Sequence, residues 1–558
     1  MHPGVIVLKC GGSVLRDRED LPSVVHEVYR WHRQGWKVIV VVSAFAGHTD
    51  LLHRTVATGV GSRSRHALAA ALCEGEREAA SALSRELAEA GLEAATLDPV
   101  DFALKGQGDP LDASPLGFDE STVRRSLEVQ SILVVPGYFA TDADGRIVTL
   151  GRGGSDLTAI VLAQGLGPAR CRLIKDVDGL FEHDPAASGP APRRFTRISY
   201  ADALRLDGTI VQHKAIRFAR EHGVVFEVGA ANSSTPTVVG ANPSLLEPVP
   251  GVERPLRVAL LGLGSVGAGV AERLSRLDRA FEVVSTVARD PGKHRPLCRR
   301  LALPEPTQDP VEAACSGVDV VVELMGGVEV AHDAIVAALR SGADVVTANK
   351  AVLARHGEAL QALAQATSTR VLASASVGGA TPIIETARRL RARSIRGVLN
   401  GTANYVLGQV ALGTPVDLAI AQAQRLGLAE ADPARDLDGR DSLDKLCVLA
   451  QACNIEPREV DVSLADVRRA RLGELWRQIA TLSPEGALRV ECQPASHTDV
   501  FGDLPGAWNA AEVLAADGSS IVIRGCGAGR WPTTEAVLAD MLEMRRGVRS
   551  RRLSVATS

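Results

Sequence analysis

Five acidic side chains, Glu430, Asp432, Asp436, Asp438 and Asp441, fall within twelve positions of the stretch AQRLGLAEADPARDLDGRDSLDK, which closes on Lys445. The flanks LGTPVDLAIAQAQ and LCVLAQAC are apolar and helix-forming, so the charges occupy a bend between two helices. Asp441 and Lys445 stand four apart at the start of the second helix and share one face, with the acid at the end the helix dipole favours. Alone, that spacing describes a surface ion pair with a helix cap. Beside other placed groups it describes carboxylates that can hold a cationic amino group and a lysine that can take a proton once burial lowers its pKa.

Other groups of this kind lie at strand ends. Lys9 precedes Gly11, Gly12 and Ser13, where two glycines let backbone amides approach an anion and the lysine adds a point charge for phosphate. Ser43 follows the run KVIVVV, and Arg152, Gly153, Gly154, Ser155 and Asp156 open a helix after the strand near Val135. In LRVALLGLGSVGAGVAERL an apolar strand leads into Gly262, Gly264 and Gly267 at GxGxxG spacing and then a helix, a dinucleotide-binding (Rossmann) arrangement in which Ser265 and Val266 also face the pyrophosphate. The next strand, FEVVSTVARD, ends in Arg289, which suits a 2′-phosphate and NADP, while Asp290 keeps NAD open. Lys350 closes the strand-like ADVVTANK.

The elements that must position these groups are α/β. From Val5 to Val228 β-branched runs alternate with helical patterns, which predicts a mainly parallel sheet with ligands at the strands' carboxyl ends. Residues 241–254 sit in a Pro-, Ser-, Gly- and Asn-rich stretch that reads as a linker. With 558 residues and net charge −4, lysine and arginine spread along the chain, few aromatics and no long apolar run, neither nucleic acid nor a membrane is expected as partner, and the location expected is cytoplasmic. Nine scattered cysteines suggest neither a zinc site nor a disulfide framework.

Residues 1–240, with TLGRGGSD and VVSAFAGHTD, resemble the aspartokinase branch of the amino-acid kinase family. The resemblance implies an amino-acid-kinase-like parallel sheet sandwich that uses ATP with Mg2+, and Lys9 with the Gly11–Gly12 turn holding the transferring phosphoryl group. It further implies that Ser43, Glu76 in CEGERE, Arg152 and Ser155 position L-aspartate, with Asp156 near the reaction centre. IKDVDGLFEHDP resembles the family's nucleotide turn and assigns Asp176, Asp178 and Asp184 to it, though DVDG is also an ordinary turn after a strand. Departures are Lys175 for a usual threonine, Ile210, His213 and Lys214 for a lysine and a histidine–proline pair, and Cys10 and Val14 in the opening motif. Lys175 or Lys214 could replace the lost charge. The family's small regulatory domains usually follow, and about twenty residues cannot hold one.

From Leu256 to about Leu542 the chain is similar to homoserine dehydrogenases, carrying TANK, VGG, NGTANY, the DPxxDLxGxDxxxK signature and GAGxxPT. The resemblance implies a Rossmann domain over 255–375, an inserted α+β substrate and dimerisation domain over 376–504, a return segment over 505–545 and a basic tail over 546–558. It also assigns Glu430 and Asp441 to the substrate's ammonium and hydroxyl, Lys445 and Lys350 to proton transfer with Lys445 as acceptor, and Thr402 to the pocket. Gly427 and Gly529 are assigned to the cofactor, NADP or NAD. Asp436 would support the lysine, and Asp432 and Asp438 read as turn and cap residues. Ser374 stands where an acid often helps hold a monovalent cation, leaving Val377, Gly379 and Thr381 as its oxygen ligands. The combined expectation is an aspartate kinase fused to a homoserine dehydrogenase on the route to threonine and methionine, forming a homo-oligomer through the substrate domain. The alternative is a dehydrogenase whose first half is a degenerate binding or assembly module.

Overall fold

The runs VIVLKC and KVIVVV carry β-branched side chains on both faces, which suits strands covered on both sides by helices. In the computed structural model, which describes residues 4–47, 64–167, 169–184, 192–248 and 254–556 with side chains to 546, they form β1 (Val5–Cys10) and β2 (Lys37–Val42). The chain divides into two compact units, residues 1–89 with 93–253 and residues 254–558 with 90–92. The His48–Asp50 end of the VVSAFAGHTD motif and Pro185 lie outside the described residues.

In the first unit a ten-stranded sheet has β3 (Ile132–Pro136), β4 (Arg170–Lys175) and β5 (Phe226–Ala230) in the order β5, β4, β1, β2, β3, all parallel. Lys9 pairs with Val41 on one side and Leu173 on the other, so the carboxyl ends of β1 and β4 open side by side where the strand order turns back. Helices α1 (Leu21–Arg33), α2 (Arg65–Glu89), α3 (Gly154–Gly165) and α4 (His213–His222) accompany it. Helix α3 is buried from Gly154 to Ala163 and packs Leu157 and Ile160 into the core with Val7, Ile39 and Leu173. Part of the expected linker is a strand instead: Leu245–Glu247 pairs antiparallel with Arg194–Ser199, placing its backbone groups in a ladder rather than in water. Residues 249–253 are outside the described set.

In the second unit β6 (Leu256–Leu261), α5 (Ser265–Leu274), β7 (Phe281–Val287), β8 (Val320–Glu323), β9 (Asp344–Thr347), α6 (Lys350–Ala366) and β10 (Val371–Leu372) build a parallel sheet ordered β7, β6, β8, β9, β10. The order turns back between β6 and β8, which puts a ligand crevice at their carboxyl ends. After α7 (Ile383–Leu390) the chain forms β11 (Ser394–Val398), α8 (Gly401–Ala411), α9 (Arg440–Cys453), β12 (Glu459–Leu464), β13 (Trp476–Leu482), β14 (Ala487–Pro494), β15 (Trp508–Leu514) and β16 (Ser520–Cys526). Their six-stranded sheet runs β12, β14, β13, β11, β15, β16. Helix α9 buries Leu446 and Leu449 in the main core, about 1.5–3 kcal/mol for each side chain.

Two expected boundaries shift. Strands β15 and β16, expected within the return segment 505–545, belong to the six-stranded sheet, where Val513 pairs with Ile395. The return begins at α10 (Arg530–Ala556), which packs on α5 and joins Arg530 to Glu272 at 2.5 Å. The expected tail continues that helix instead of leaving it. No described helix is long and apolar enough to cross a membrane.

Candidate active sites

Helix α9 starts on Gly439 in the left-handed region at φ 83°, where a side chain would strike Ala465 and Val490. This start puts Asp441 in the first turn and Lys445 one turn on, facing the same way. Lys350 opens α6 directly after β9, its helix capped by Asn349, whose side chain accepts from Val352 N–H. The three side chains meet: Lys350 Nζ is 2.9 Å from Asp441 Oδ1, and Lys445 Nζ is 2.8 Å from Asp441 Oδ2. Lys445 also donates to the Leu399 carbonyl at 2.6 Å. Asn400 Nδ2 donates to Asp436 Oδ1 at 2.7 Å and Asp441 Oδ2 at 2.8 Å, while its own oxygen caps α8 through Ala403 N–H.

The pair is therefore not a surface ion pair, since Asp441 and Lys445 are both buried. Burial alone would raise the Asp441 pKa, but the ammonium groups of Lys445 and Lys350 outweigh it and hold the carboxyl well below the ordinary range. Burial works to lower Lys350, yet Asp441 wins and raises it, the opposite of a lysine neutralised by burial alone. Asp436 is raised by burial and by the Asp441 charge. Asp432 and Asp438 accept from the backbone of Ala434 and Arg440, as turn residues do.

Other expected residues lie apart from this cluster. Glu430 is exposed, and its side chain has no hydrogen-bond or ion-pair partner among the described residues. Thr402 Oγ1 donates to the Leu428 carbonyl at 2.6 Å, tying α8 to the turn at Gly427, whose φ is 71°. Gly529, at φ 130°, lies just ahead of α10. Asn400 is a residue of the cluster that the sequence motifs do not single out. Its signal was present in NGTANY, as an asparagine placed to cap a helix.

The three fingerprint glycines divide the labour. Gly262 turns at φ 102°, with the Leu324 backbone where a side chain would sit. Gly264 faces open space, and a Cβ on Gly267 would overlap the Gly262 carbonyl. The first makes the turn, the second leaves room for a pyrophosphate at the start of α5 beside Ser265 and Val266, and the third lets helix and strand pack. Arg289 is exposed after β7, whereas Asp290 caps the following helix through Lys293 N–H. At the expected cation turn, the Thr381 carbonyl accepts from Ile383 N–H, and the buried Thr381 hydroxyl, set against Gly525, has no hydrogen-bond partner. Ser374 donates to Asp540 Oδ1 at 2.6 Å, so α10 brings a carboxylate to the position that lacks one.

In the first unit a cleft of about 860 Å³ opens at the ends of β1 and β4 and is lined by Lys9, Gly11, Gly12, Ser13, Lys175, Asp176 and Asp184. Its size and its amide and lysine lining fit a nucleoside triphosphate. Asp156, in the first turn of α3, holds Lys9 Nζ at 2.7 Å and Lys175 Nζ at 2.9 Å. Burial would raise Asp156, but the two lysines keep it low; burial and the neighbouring Lys9 lower Lys175. A side chain at Gly11 would collide with Lys9 Nζ. Lys214 is turned to Asp112 at 2.5 Å and the Leu150 carbonyl, away from the cleft, so of the two candidates for the lost charge only Lys175 lines it. Asp178 is not part of the lining; it lies against Gly229 with a buried, unpaired oxygen.

Glu76, from the middle of α2, is buried with one carboxylate oxygen unpaired, and desolvation pushes it up to about 8. It lies near the Ala44 backbone, next to Ser43, whose Oγ is close to Gly11. Ser155 is buried at the start of α3, and Arg152 beside it is exposed with no side-chain partner among the described residues. The arrangement offers two cations, amides and a helix N-terminus for phosphate, with an acid and an arginine free for an amino acid's ammonium and carboxylate.

Residues 4–226 match the amino acid kinase family, residues 262–374 the NAD binding domain of homoserine dehydrogenase, and residues 382–542 homoserine dehydrogenase itself. The homoserine dehydrogenase of Pseudomonas aeruginosa is 34% identical over 326 residues, covering 53% of this chain and 74% of its own. That of Synechocystis is 34% identical over 319 residues, covering 52% and 73%. A solved homoserine dehydrogenase from Thiobacillus denitrificans is 31% identical and covers 53% of this chain and 74% of its own, with a TM-score of 0.49.

Proposed function

The chain belongs to the homoserine dehydrogenase family and carries an amino acid kinase family domain ahead of it, and from that premise we propose a bifunctional enzyme. The second unit interconverts L-homoserine and L-aspartate 4-semialdehyde with NADP or NAD. The first phosphorylates L-aspartate to 4-phospho-L-aspartate with ATP and Mg2+. The observation that carries the dehydrogenase reading is the Asp441 carboxylate shared by Lys350 and Lys445.

Oxidation removes a hydride from the carbinol carbon and a proton from its oxygen, and a bound nicotinamide supplies the hydride acceptor. The proton is the protein's task. Neutral Lys445 would keep two N–H bonds on Asp441 and the Leu399 carbonyl, which leaves its lone pair for the hydroxyl proton. Lys350, held cationic by Asp441, stabilises negative charge developing on the substrate oxygen. Asn400 fixes Asp441 and Asp436 together, and Glu430, exposed on the bend, is free to meet the substrate's ammonium. We expect the six-stranded sheet domain to pair copies of the chain. Lys445→Ala should cut homoserine oxidation at least about a hundredfold in kcat; full activity would remove Lys445 from the chemistry.

The kinase reading is supported by Lys9 and Lys175 on one carboxylate at the nucleotide-sized cleft, by the one unpaired oxygen of Glu76, and by Arg152, exposed and without a side-chain partner among the described residues. Phosphoryl transfer needs charge neutralisation and positioning, and this set offers both. A second reading, a kinase domain kept only for binding or assembly, is favoured by Lys175 itself, because it engages Asp156 where the family usually has an uncharged threonine.

A further inference from the structure

A cavity of about 650 Å³ lies in the second unit, lined by residues of α6, α7, α9 and β10. None of the groups assigned to chemistry lines it. Its floor is apolar, with Leu353, Ile384 and Val448, and its lining also carries Arg388, Arg391, Gln361 and Gln365. The side chains of both arginines have no ion-pair or hydrogen-bond partner among the described residues, and neither do those of the two glutamines. Arg391 is held at φ 50°, a left-handed conformation that a glycine would adopt more readily. Two guanidinium groups without acids, above an aliphatic floor, fit a ligand with a carboxylate at one end and a hydrocarbon body at the other.

The position matters as much as the lining. Helices α6 and α9 pack together, and both begin at the Lys350–Asp441 contact. Gln451, about 15 Å along α9 from Asp441 at 1.5 Å per residue, donates to the Leu353 carbonyl of α6 at 3.0 Å and lines the cavity. A ligand seated between the far part of α9 and α6, which lines the cavity from Leu353 in its first turn to Gln365 in its last, bears on the Lys350–Asp441 spacing through two rigid elements. We propose that this cavity binds a small aliphatic carboxylate and that its occupancy changes the Lys350–Asp441 contact and with it the dehydrogenase reaction. The regulatory half of this inference rests on the dehydrogenase reading above; the binding half does not.

Titration of the full chain with hexanoate, with inorganic phosphate as an anion lacking the hydrocarbon, tests both halves. Hexanoate should bind once per chain and shift kcat or KM for homoserine by about fivefold or more, the low end of ordinary coupling between sites. Phosphate should bind at least about tenfold more weakly, since it leaves the apolar floor unfilled. Arg388→Gln with Arg391→Gly should leave unliganded homoserine kinetics within about twofold and weaken hexanoate at least about tenfold; the glycine suits the local φ, so the variant should fold. Hexanoate affinity unchanged in that variant would overturn the site, as would phosphate binding equal to hexanoate. Binding without any change in homoserine kinetics would overturn the coupling. A protein that binds hexanoate through these arginines but oxidises no homoserine would instead refute the dehydrogenase reading.

Discussion

Lys350 Nζ and Asp441 Oδ1 lie 2.9 Å apart although the two residues stand in the first turns of different helices, α6 and α9. The contact joins the parallel-sheet domain to the domain of the mixed six-stranded sheet, where the proposed reaction would bring substrate and nicotinamide together. Asp441→Asn keeps the shape and removes the charge, leaving two buried or half-buried ammonium groups without it. It should lower kcat for homoserine at least about a hundredfold and cost about 3–5 kcal/mol of stability in urea unfolding. A variant as stable and active as the parent would show that the clamp is incidental.

The fingerprint glycines separate folding from cofactor binding. Gly264→Ala has open space for its methyl group, so unfolding should be unchanged while the KM for the dinucleotide rises at least about tenfold. Gly267→Ala meets the Gly262 carbonyl, and it should lower the melting temperature as well. Thermal denaturation and KM measured on both variants check the pair; equal effects on folding would contradict the division.

Arg289 is exposed at the end of β7 while Asp290 is occupied as a helix cap. Arg289→Ala should therefore raise the KM for NADP at least about tenfold more than that for NAD. Equal changes would assign the 2′-phosphate to another group.

Glu76 gives a pH signature. Its folded pKa, about 8, lies above the usual carboxylate value, so the stability it contributes is fully present below about pH 4 and is lost as pH rises toward 8. Glu76→Gln should remove that loss, stabilising the protein by about 3 kcal/mol at pH 7 while abolishing aspartate binding. In the parent, an aspartate ammonium arriving beside Glu76 should expel close to one proton at pH 7, readable by calorimetry in buffers of different ionisation enthalpy. Binding without proton release would place Glu76 away from the substrate.

Much of this was legible because the chemistry is local in sequence. Lys9 with Gly11, the three fingerprint glycines and Asp441 with Lys445 are each set by one turn and its strand or helix. What escaped depended on chain segments meeting at a distance. Asp540 reaches Ser374 only because α10 packs back on the nucleotide-binding domain. Asn400 joins Asp436 to Asp441 across the fold, and Lys214 turns away from the cleft because Asp112 and the Leu150 carbonyl take its ammonium. Strands β15 and β16 look no different in sequence from strands of the nucleotide-binding domain; only their pairing with β11 and with each other places them.

The claim of two activities on one chain turns on Lys175 and Asp156. With ATP, Mg2+ and L-aspartate, trapping of the acyl phosphate by hydroxylamine should give aspartyl hydroxamate from the purified chain, and Lys175→Thr should lower the rate at least about tenfold by removing one of two phosphate-side cations. No hydroxamate from folded protein that still oxidises homoserine would contradict the account and leave the first unit as a binding or assembly module.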